Sequence, residues 1–148
     1  MVAVTTAEGL RERFNAGERF KFLHFWGHTP PRDGTVSRSC FSQWFDAPFA
    51  VEGVCFPTAE HFMMAEKARL FGDESVYQRV LVAANPGAAK ALGRQVAGFS
   101  EDLWLEHRAR IVFQANLTKF SQHEALREYL LQTDERVLVE ASPVDRIW

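Results

Sequence analysis

The sequence predicts an α+β fold: a compact domain over residues 1–148, mostly helical, with about five helices and a few short antiparallel strands. Several segments place apolar residues at helical spacing behind a capping residue, whereas a few short stretches alternate polar and apolar residues. The strands are segregated from the helices, which favours α+β over an interleaved α/β fold. The chain of 148 residues is 47% apolar, which is enough for one core.

The N-terminal region is predicted to contain a helix followed by a strand. Residues 6–15 fit a short helix, with Thr6 as its N-cap and Leu10 and Phe14 on the inward face. Residues 19–26 alternate polar and aromatic side chains, which is typical of a strand.

A loop and two further strands are predicted next. Residues 27–39 hold two prolines and two glycines, so they should form a loop. Loops often carry binding residues, and this one offers four polar side chains that can face a ligand: His28, Arg32, Arg38 and Ser39. Residues 40–45 and 49–54 fit short strands with a turn at 46–48.

One helix, predicted within segment 56–73, carries charges where apolar residues are expected. Glu60, Met64, Lys67 and Phe71 recur at i, i+4, i+7 and i+11, which puts them on one helical face. Because Met64 and Phe71 are large and apolar, this face should point inward. An acid and a base on such a face must be paired, hydrated in a pocket or used in chemistry.

Glu60 and Lys67 are therefore the first candidates for catalysis. Their spacing corresponds to about 10 Å along the helix axis, so both can reach one cavity. Glu60 suits general acid or base catalysis if apolar neighbours raise its pKa. Lys67 can bind a phosphate, or attack a sugar C1 as an amine if its pKa is lowered. The alternatives without function are a buried ion-pair network, or charged ends that extend along the surface to solvent.

The remaining helices are predicted from their boundary residues. Asn85 caps a helix with Pro86 at its first position and Gly93 just past its end, the usual asymmetry of helix termini. Ser100 begins a longer helix. The pattern as a whole predicts helices at 74–84, 86–92, 102–118 and 122–132, a strand at 137–140 and an irregular tail from 141.

The helix at 102–118 also has a charge on an apolar face. Trp104, Arg108, Ile111 and Ala115 form one stripe. Arg108 can clamp a phosphate or carboxylate there while the Trp104 indole stacks on a base. The alternative is an arginine stem that packs on the tryptophan at the surface.

The segment 86–94 is rich in small residues, which let a helix approach a neighbour or a ligand closely. Its N-terminus can hold an anion, and Lys90 and Arg94 add positive charge. The alternative is close helix packing with solvated basic ends.

The tail has Asp145 three residues before Trp148. A carboxylate beside an indole fits a site that cleaves a glycosidic bond, because the ring shields the sugar and the acid stabilises its positive charge. The alternative is an aspartate in a turn followed by an apolar anchor.

Composition and missing motifs disfavour several classes of function. The formal net charge of −2 argues against nonspecific binding to nucleic acid. Cys40, Cys55 and the five histidines lack metal-ligand spacing, and no glycine-rich nucleotide loop is present, so neither a metal nor a cofactor is expected. Without a visible signal peptide or membrane span, a reduced cytoplasmic protein with no membrane partner is the simplest expectation.

The ordered set of motifs resembles the NADAR family, also called YbiA-like, over about residues 22–148. In chain order the motifs are FxxFWG, FSxWFxxPF, Glu60-His61, Lys67-Ala68, AxxPxxAKxLGR, FxxxxW, Lys119-Phe120, LxxxLLxT and VEASPxDxxW. Each motif alone is weak, whereas their order is highly specific.

The resemblance implies a mostly helical α+β domain with N-glycosidase activity. Such hydrolases cleave the bond between a ribose C1 and an amino nitrogen in phosphoribosylamino-pyrimidine intermediates of riboflavin synthesis, which releases ribose 5-phosphate. Other members remove ADP-ribose from guanine in nucleic acid, and this activity is the first alternative. A module that binds ADP-ribose or NAD without cleaving it is the second.

The resemblance also implies which residues form the site. The catalytic positions correspond to Glu60, Lys67 and Asp145. The positions that it implies for binding a phosphoribosyl or ADP-ribosyl substrate are Trp104, Arg108 and Trp148. Trp26, Lys90 and Arg94 are further candidates for substrate binding that do not come from the resemblance. Two features depart from the family. Its usual FSN motif ends in Gln43 here, and its members usually continue past the residue equivalent to Trp148.

Overall fold

The computed structural model describes residues 3–143, which form the α+β fold that the sequence predicts. Six α-helices, one 3-10 helix and four strands lie in this part of the chain. In order they are α1 (Ala7–Asn15), β1 (Phe22–Phe25), the 3-10 helix (Arg38–Phe41), β2 (Phe49–Val51), β3 (Val54–Phe56), α2 (Ala59–Leu70), α3 (Glu74–Leu81), α4 (Pro86–Gly93), α5 (Glu101–Gln122), α6 (Glu124–Leu131) and β4 (Val137–Glu140). None of these helices is both long and apolar enough to cross a membrane.

Five helices begin at a residue whose side chain accepts a hydrogen bond from a backbone N–H of the first turn, which satisfies a donor that the helix itself cannot pair. These caps are Thr6, Thr58, Asp73, Asn85 and Ser100. The helix starts predicted at Thr6, Asn85 and Ser100 are confirmed. α5 is longer than predicted and ends at Gln122, so α6 begins at Glu124 rather than at 122.

The strand predicted at 40–45 is wrong, because the chain forms the 3-10 helix and a turn there. Ser37 caps this helix by accepting a hydrogen bond from the Ser39 N–H. Local hydrogen bonds from serine compete with pairing in a sheet. Cys40 and Phe41 are buried, so their apolar character reflects burial and not a strand.

The strand predicted at 49–54 is interrupted by a hairpin turn. β2 and β3 pair antiparallel, with Phe49 opposite Phe56. Glu52 and Gly53 connect them with φ values of 49° and 80°. Positive φ at both positions gives the two-residue turn the twist of its strands. The turn therefore lies inside the predicted strand and not ahead of it at 46–48.

β1 and β4 pair in parallel, with Phe22 opposite Val137 and Phe25 opposite Glu140. The predicted antiparallel direction is thus wrong for this pair and correct for β2 and β3. A hairpin imposes the antiparallel direction on strands that are neighbours in sequence, whereas α2 to α6 all lie between β1 and β4 and make a parallel crossover possible. β1 is also shorter than the predicted strand at 19–26.

The larger core surrounds α2, which packs against α3, α4, α5 and the β2–β3 hairpin. Three aromatic rings pack between α2 and the hairpin, with 5.1 to 6.1 Å between their centroids: those of Phe49, Phe56 and Phe62. Ala65 and Ala68 on α2 are fully buried, and their small side chains let neighbouring helices come close.

A smaller core cluster joins the 3-10 helix to α5, α6 and the β1–β4 pair. Phe41, Phe120 and Leu126 are its largest buried members. Cys40 lies in this cluster, Cys55 is exposed on β3, and both are free thiols.

The inward position predicted for Phe14 is wrong, because this side chain is 55% exposed. α1 buries no residue, since it lies at the edge of the fold. The Phe14 ring meets the Phe22 ring edge-on, with 6.3 Å between the ring centroids.

Candidate active site

Glu60 lies in the first turn of α2 and is only 7% exposed. Its backbone N–H donates to the Gln43 carbonyl at 3.0 Å, and the Trp44 side chain donates a hydrogen bond to its carboxylate. Burial raises the pKa of Glu60, while the charge of Lys90 and the Trp44 hydrogen bond oppose that rise. The result is a buried acid whose proton is held more tightly than usual.

Lys67 lies two turns further along α2 and is half-buried. Its Nζ is 4.6 Å from the ring centroid of Phe99 and 5.4 Å from that of Trp104. Burial lowers the pKa of Lys67, the charge of Glu60 raises it, and Arg94 lowers it again. The amine therefore loses its proton more readily than an exposed lysine.

Glu60 and Lys67 influence each other without forming an ion pair. Within residues 3–143 the side-chain ion pairs are Arg13–Glu18 and Arg69–Glu66. A buried ion-pair network therefore does not account for the two charges on this face of α2.

Trp44 forms a second aromatic wall beside Glu60. Its ring lies 5.7 Å from the His28 ring and 5.9 Å from the Lys90 Nζ. Gly87, in the first turn of α4, lies beside the indole, since a Cβ at that position would be in ordinary van der Waals contact with the ring at 3.5 Å. The contact thus brings α4 up to the segment that carries Trp44.

α4 supplies two exposed cations to the site, and its contact with α2 sets their position. Lys90 acts electrostatically on Glu60, and Arg94 acts on Lys67. Close packing is possible because Gly93 has no side chain; a Cβ there would lie 2.0 Å from the Met64 sulfur. The small residues predicted to allow a close approach do so at Gly93.

His61 anchors the opposite face of α2. It is buried, with Nε2 3.0 Å from the Ala83 carbonyl and Nδ1 2.8 Å from the Thr58 hydroxyl. A carbonyl oxygen can only accept, so Nε2 carries the proton and Nδ1 accepts from Thr58. This ring fixes α2 against the chain just before α4 and lies outside the cluster around Glu60.

The stripe predicted on α5 is confirmed as a face that runs from the core to the site. Ile111 and Ala115 are buried, while Trp104 and Arg108 are half-buried. Trp104 meets Lys67, and Arg108 lies one helical turn further along the same face.

Trp26 directly follows β1 and is 63% exposed. It lies two residues before His28, whose ring faces Trp44. At the end of β4, Glu140 acts electrostatically on Glu60. The carboxyl ends of β1 and β4 are paired, so the Trp26 segment starts from the same side of the fold. Asp145 and Trp148 lie outside the residues that the structure describes.

The structure thus brings together Glu60, Lys67, Trp104, Lys90 and Arg94, all of which the sequence singled out. It adds Trp44 and Phe99, which were not singled out as site residues. Trp44 could have been found as the central tryptophan of the FSxWFxxPF motif, and Phe99 as the first residue of the FxxxxW motif that ends at Trp104.

No group of three His, Cys, Asp or Glu side chains within residues 3–143 could hold a metal ion. The site instead offers a buried acid, an amine of lowered pKa, aromatic surfaces and exposed cations. Such a set can transfer protons and hold a ligand that is both aromatic and anionic.

Comparison with known proteins is consistent with this chemistry. The family model described as the NADAR domain matches residues 24–148. N-glycosidase R617 of Acanthamoeba polyphaga mimivirus is 37% identical over 136 residues, which are 88% of this chain and 78% of that protein. N-glycosidase YbiA of Escherichia coli (strain K12) is 32% identical over 110 residues, which cover 74% of this chain but only 65% of that protein.

The fold is similar to a solved structure. The NMR structure of the Escherichia coli protein YbiA matches with a TM-score of 0.73 and 27% sequence identity, over 88% of this chain and 73% of that one.

Proposed function

This chain belongs to the NADAR family and is related to N-glycosidases, and from this premise we propose that it hydrolyses the bond between ribose C1 and an amino nitrogen. The proposed substrate is a phosphoribosylamino-pyrimidine intermediate of riboflavin biosynthesis. The products are ribose 5-phosphate and the free aminopyrimidine, and the reaction takes place in the cytoplasm.

The observation that carries the proposal is the environment of Glu60. This acid is buried, its pKa is raised by that burial, and cationic and aromatic side chains surround it. Cleavage of a C1–N bond needs an acid that protonates the departing nitrogen. A carboxyl group that holds its proton more tightly than usual meets that need.

In the proposed reaction the C1–N bond breaks and its electron pair leaves with the nitrogen, which takes a proton from Glu60. Positive charge develops on the sugar and is stabilised by the resulting carboxylate. Water then adds to C1 and returns a proton to Glu60. Asp145 is the second candidate for one of these proton transfers.

The aromatic and cationic side chains hold the substrate in this proposal. Trp104 and Trp148 stack on the base, and Arg108 anchors the 5-phosphate with help from Lys90 or Arg94. Trp26, exposed directly after β1, covers the sugar or base in this proposal.

Lys67 has two possible roles. As a clamp, its ammonium binds the phosphate or a sugar hydroxyl. As a nucleophile, its neutral amine attacks C1 of the opened ribose and displaces the aminopyrimidine, and water then hydrolyses the imine to release the sugar. The lowered pKa of Lys67 supports the second role.

Borohydride trapping separates these roles. If Lys67 is the nucleophile, reduction during turnover should add one pentose phosphate to Lys67, as measured by peptide mass spectrometry. Lys67→Arg keeps the charge but cannot form an imine, so it should lose both the adduct and turnover. If Lys67 carries no adduct and Lys67→Arg is active, the nucleophile role is excluded and the clamp role remains.

The proposed function is tested by incubating the purified protein with phosphoribosylamino-pyrimidines and, separately, with DNA that carries ADP-ribosylated guanine. We expect free ribose 5-phosphate from the first substrate. Glu60→Gln should lower kcat by about 10²- to 10⁴-fold, because the amide cannot transfer the proton.

The matched control is Glu66→Gln on the same helix, whose carboxylate pairs with Arg69 away from the site. This variant should keep normal turnover. Near-normal turnover by Glu60→Gln would remove Glu60 from the chemistry, and no sugar release from either substrate would contradict the enzymatic proposal.

A second candidate is removal of ADP-ribose from guanine. The exposed cations Lys90 and Arg94, close together on α4, favour it, because a diphosphate carries more charge than a monophosphate. Release of ADP-ribose from the modified DNA, without release of ribose 5-phosphate, would select this activity. Tight binding of ADP-ribose or NAD with unchanged ligand would instead indicate a binding module.

A further inference from the structure

Lys119 on α5 is the largest charged side chain inside the protein and has no solvent exposure. Its Nζ donates hydrogen bonds to the Cys40 carbonyl at 2.6 Å and to the Ser42 carbonyl at 3.0 Å. The ammonium also lies 5.6 Å from the Phe45 ring and 5.1 Å from the Phe120 ring. A lysine of the core thus holds the turn that follows the 3-10 helix.

This arrangement is costly for a residue that only fills space. No carboxylate forms an ion pair with Lys119 within residues 3–143, and among ionisable groups only the Cys40 thiol acts on its charge. A buried cation that relies on carbonyls and rings stabilises a core less well than a packed apolar side chain of the same size. Lys119 therefore needs an explanation beyond packing.

The turn that Lys119 holds leads directly to the candidate catalytic acid. The Gln43 carbonyl accepts the backbone N–H of Glu60 at 3.0 Å, and the Trp44 side chain donates to the Glu60 carboxylate. The Trp44 backbone N–H in turn donates to the Ser42 hydroxyl at 3.2 Å. Residues 42–44 thus contact Glu60 at both its main chain and its side chain.

α5 contacts this turn at a second point. Asn116, one helical turn before Lys119, donates from Nδ2 to the Gln43 side-chain oxygen at 3.1 Å and to the Val112 carbonyl at 2.9 Å. The longer side chain of Gln43, where the family usually has asparagine, is therefore engaged by α5. Asn116 and Lys119, one helical turn apart on α5, thus bind Cys40, Ser42 and Gln43.

We propose that Lys119 and Asn116 are positioning residues: they hold residues 42–44 so that Gln43 and Trp44 orient the carboxylate of Glu60. Neither residue touches the substrate. The proposal rests on the proposed function for the role of Glu60, and its first test measures that carboxyl group without any substrate.

The other charged groups that face Glu60 come from different elements. They are Lys67 on α2, Lys90 on α4 and Glu140 on β4. None of them belongs to the turn that Lys119 holds, so they remain in an Lys119 variant. A changed titration of Glu60 in that variant therefore reports on Gln43 and Trp44.

The first test follows the indole N–H of Trp44 by NMR through a pH titration, with the signal assigned by its loss in Trp44→Phe. In the wild type this signal should report the ionisation of Glu60, to which the indole donates. In Lys119→Met, a neutral side chain of similar length, the hydrogen bond should weaken. Because that bond lowers the pKa of Glu60, the midpoint should move to higher pH.

The matched control is Lys21→Met, which removes an exposed lysine before β1 and should leave the midpoint unchanged. Asn116→Ala provides a second variant of the turn and should shift the midpoint in the same direction as Lys119→Met. A midpoint equal to that of the wild type in whichever of these two variants folds would overturn the proposal.

The second test is kinetic. Lys119→Met should lower kcat roughly ten- to a hundredfold through misplacement of the acid, with little change in KM, because the groups proposed to bind substrate are intact. In a Trp44→Phe background Lys119→Met should cause little further shift in the pH midpoint of the kcat profile, since both changes act through the same hydrogen bond. Fully additive shifts would contradict this route.

The two tests keep the proposals apart. If the wild type cleaves substrate but the pH midpoint of the Trp44 signal does not move in the variants, the proposed function stands and the positioning role is contradicted. An NMR shift in a protein that cleaves neither substrate would support the positioning role and contradict the proposed function.

Discussion

Glu60, Lys67 and Lys119 are three ionisable side chains on which the core acts in different ways. Burial moves the pKa of Glu60 up and that of Lys67 down, so each is pushed toward its neutral form. Such opposed shifts are typical of groups that exchange protons during catalysis. Lys119 is shifted as well, but its partners are backbone carbonyls, which marks it as part of the framework.

The titration of Lys119 should be visible in the stability of the protein. Burial lowers its pKa from the ordinary 10.5 to about 8. Between these two values the unfolded chain holds a proton that the folded chain has lost, so the free energy of unfolding contributed by this group rises with pH. Below about pH 8 Lys119 is protonated in both the folded and the unfolded chain, so the buried charge lowers the free energy of unfolding by its full amount.

The measurement is the free energy of unfolding of the wild type minus that of Lys119→Met, determined by denaturant titration from pH 7 to pH 10. This difference should grow in favour of the wild type above pH 8. Cys40 opposes the trend, because burial raises its pKa to about 11, but that thiol is present in both proteins. A difference that stays flat or falls over this range would contradict a depressed pKa at Lys119.

At the scale of elements, the contact between α2 and α4 decides whether the cations reach the acid. Gly93 packs directly on Met64, and Lys90 and Arg94 flank that contact. A side chain at position 93 would push the two helices apart and carry Lys90 away from Glu60 and Arg94 away from Lys67.

Gly93→Ala is expected to lower the free energy of unfolding by about 1–3 kcal/mol through overpacking against Met64. It should also weaken substrate binding, because α4 moves. In a Met64→Ala background the same change should be neutral or stabilising, since alanine has the higher helix propensity by about 1 kcal/mol. Equal costs in the two backgrounds, measured by denaturant unfolding, would show that the contact with Met64 is not the cause.

Helices were easier to predict than strands, for a local reason. The starts at Asn85 and Ser100 follow from caps that bond within their own first turn. The strand predicted at 40–45 failed because Ser37 caps a 3-10 helix there and because the Cys40 and Ser42 carbonyls bind Lys119, more than 70 residues away. A sequence pattern contains no information about such a partner.

At the scale of the whole molecule, the site is assembled from parts of the chain that are distant in sequence. The inward face of α2 with Glu60 and Lys67 could be predicted, because helical periodicity alone puts both residues on that face. Trp44 and Phe99 reach these residues only through tertiary packing of α4 and of the start of α5. The motifs FSxWFxxPF and FxxxxW contain these two residues, but their contacts with Lys90 and Lys67 emerge only in the folded structure.

The parallel pairing of β1 with β4 has a consequence for how the protein is made. More than 100 residues separate the paired strands. β1 therefore has no strand partner until β4 has left the ribosome. Pairing over such a distance is entropically costly and slow. During synthesis the helices around α2 can pack first. Glu140 approaches Glu60 only when β4 pairs with β1, at the last stage. Catalytic activity should therefore appear late in synthesis and within a short interval.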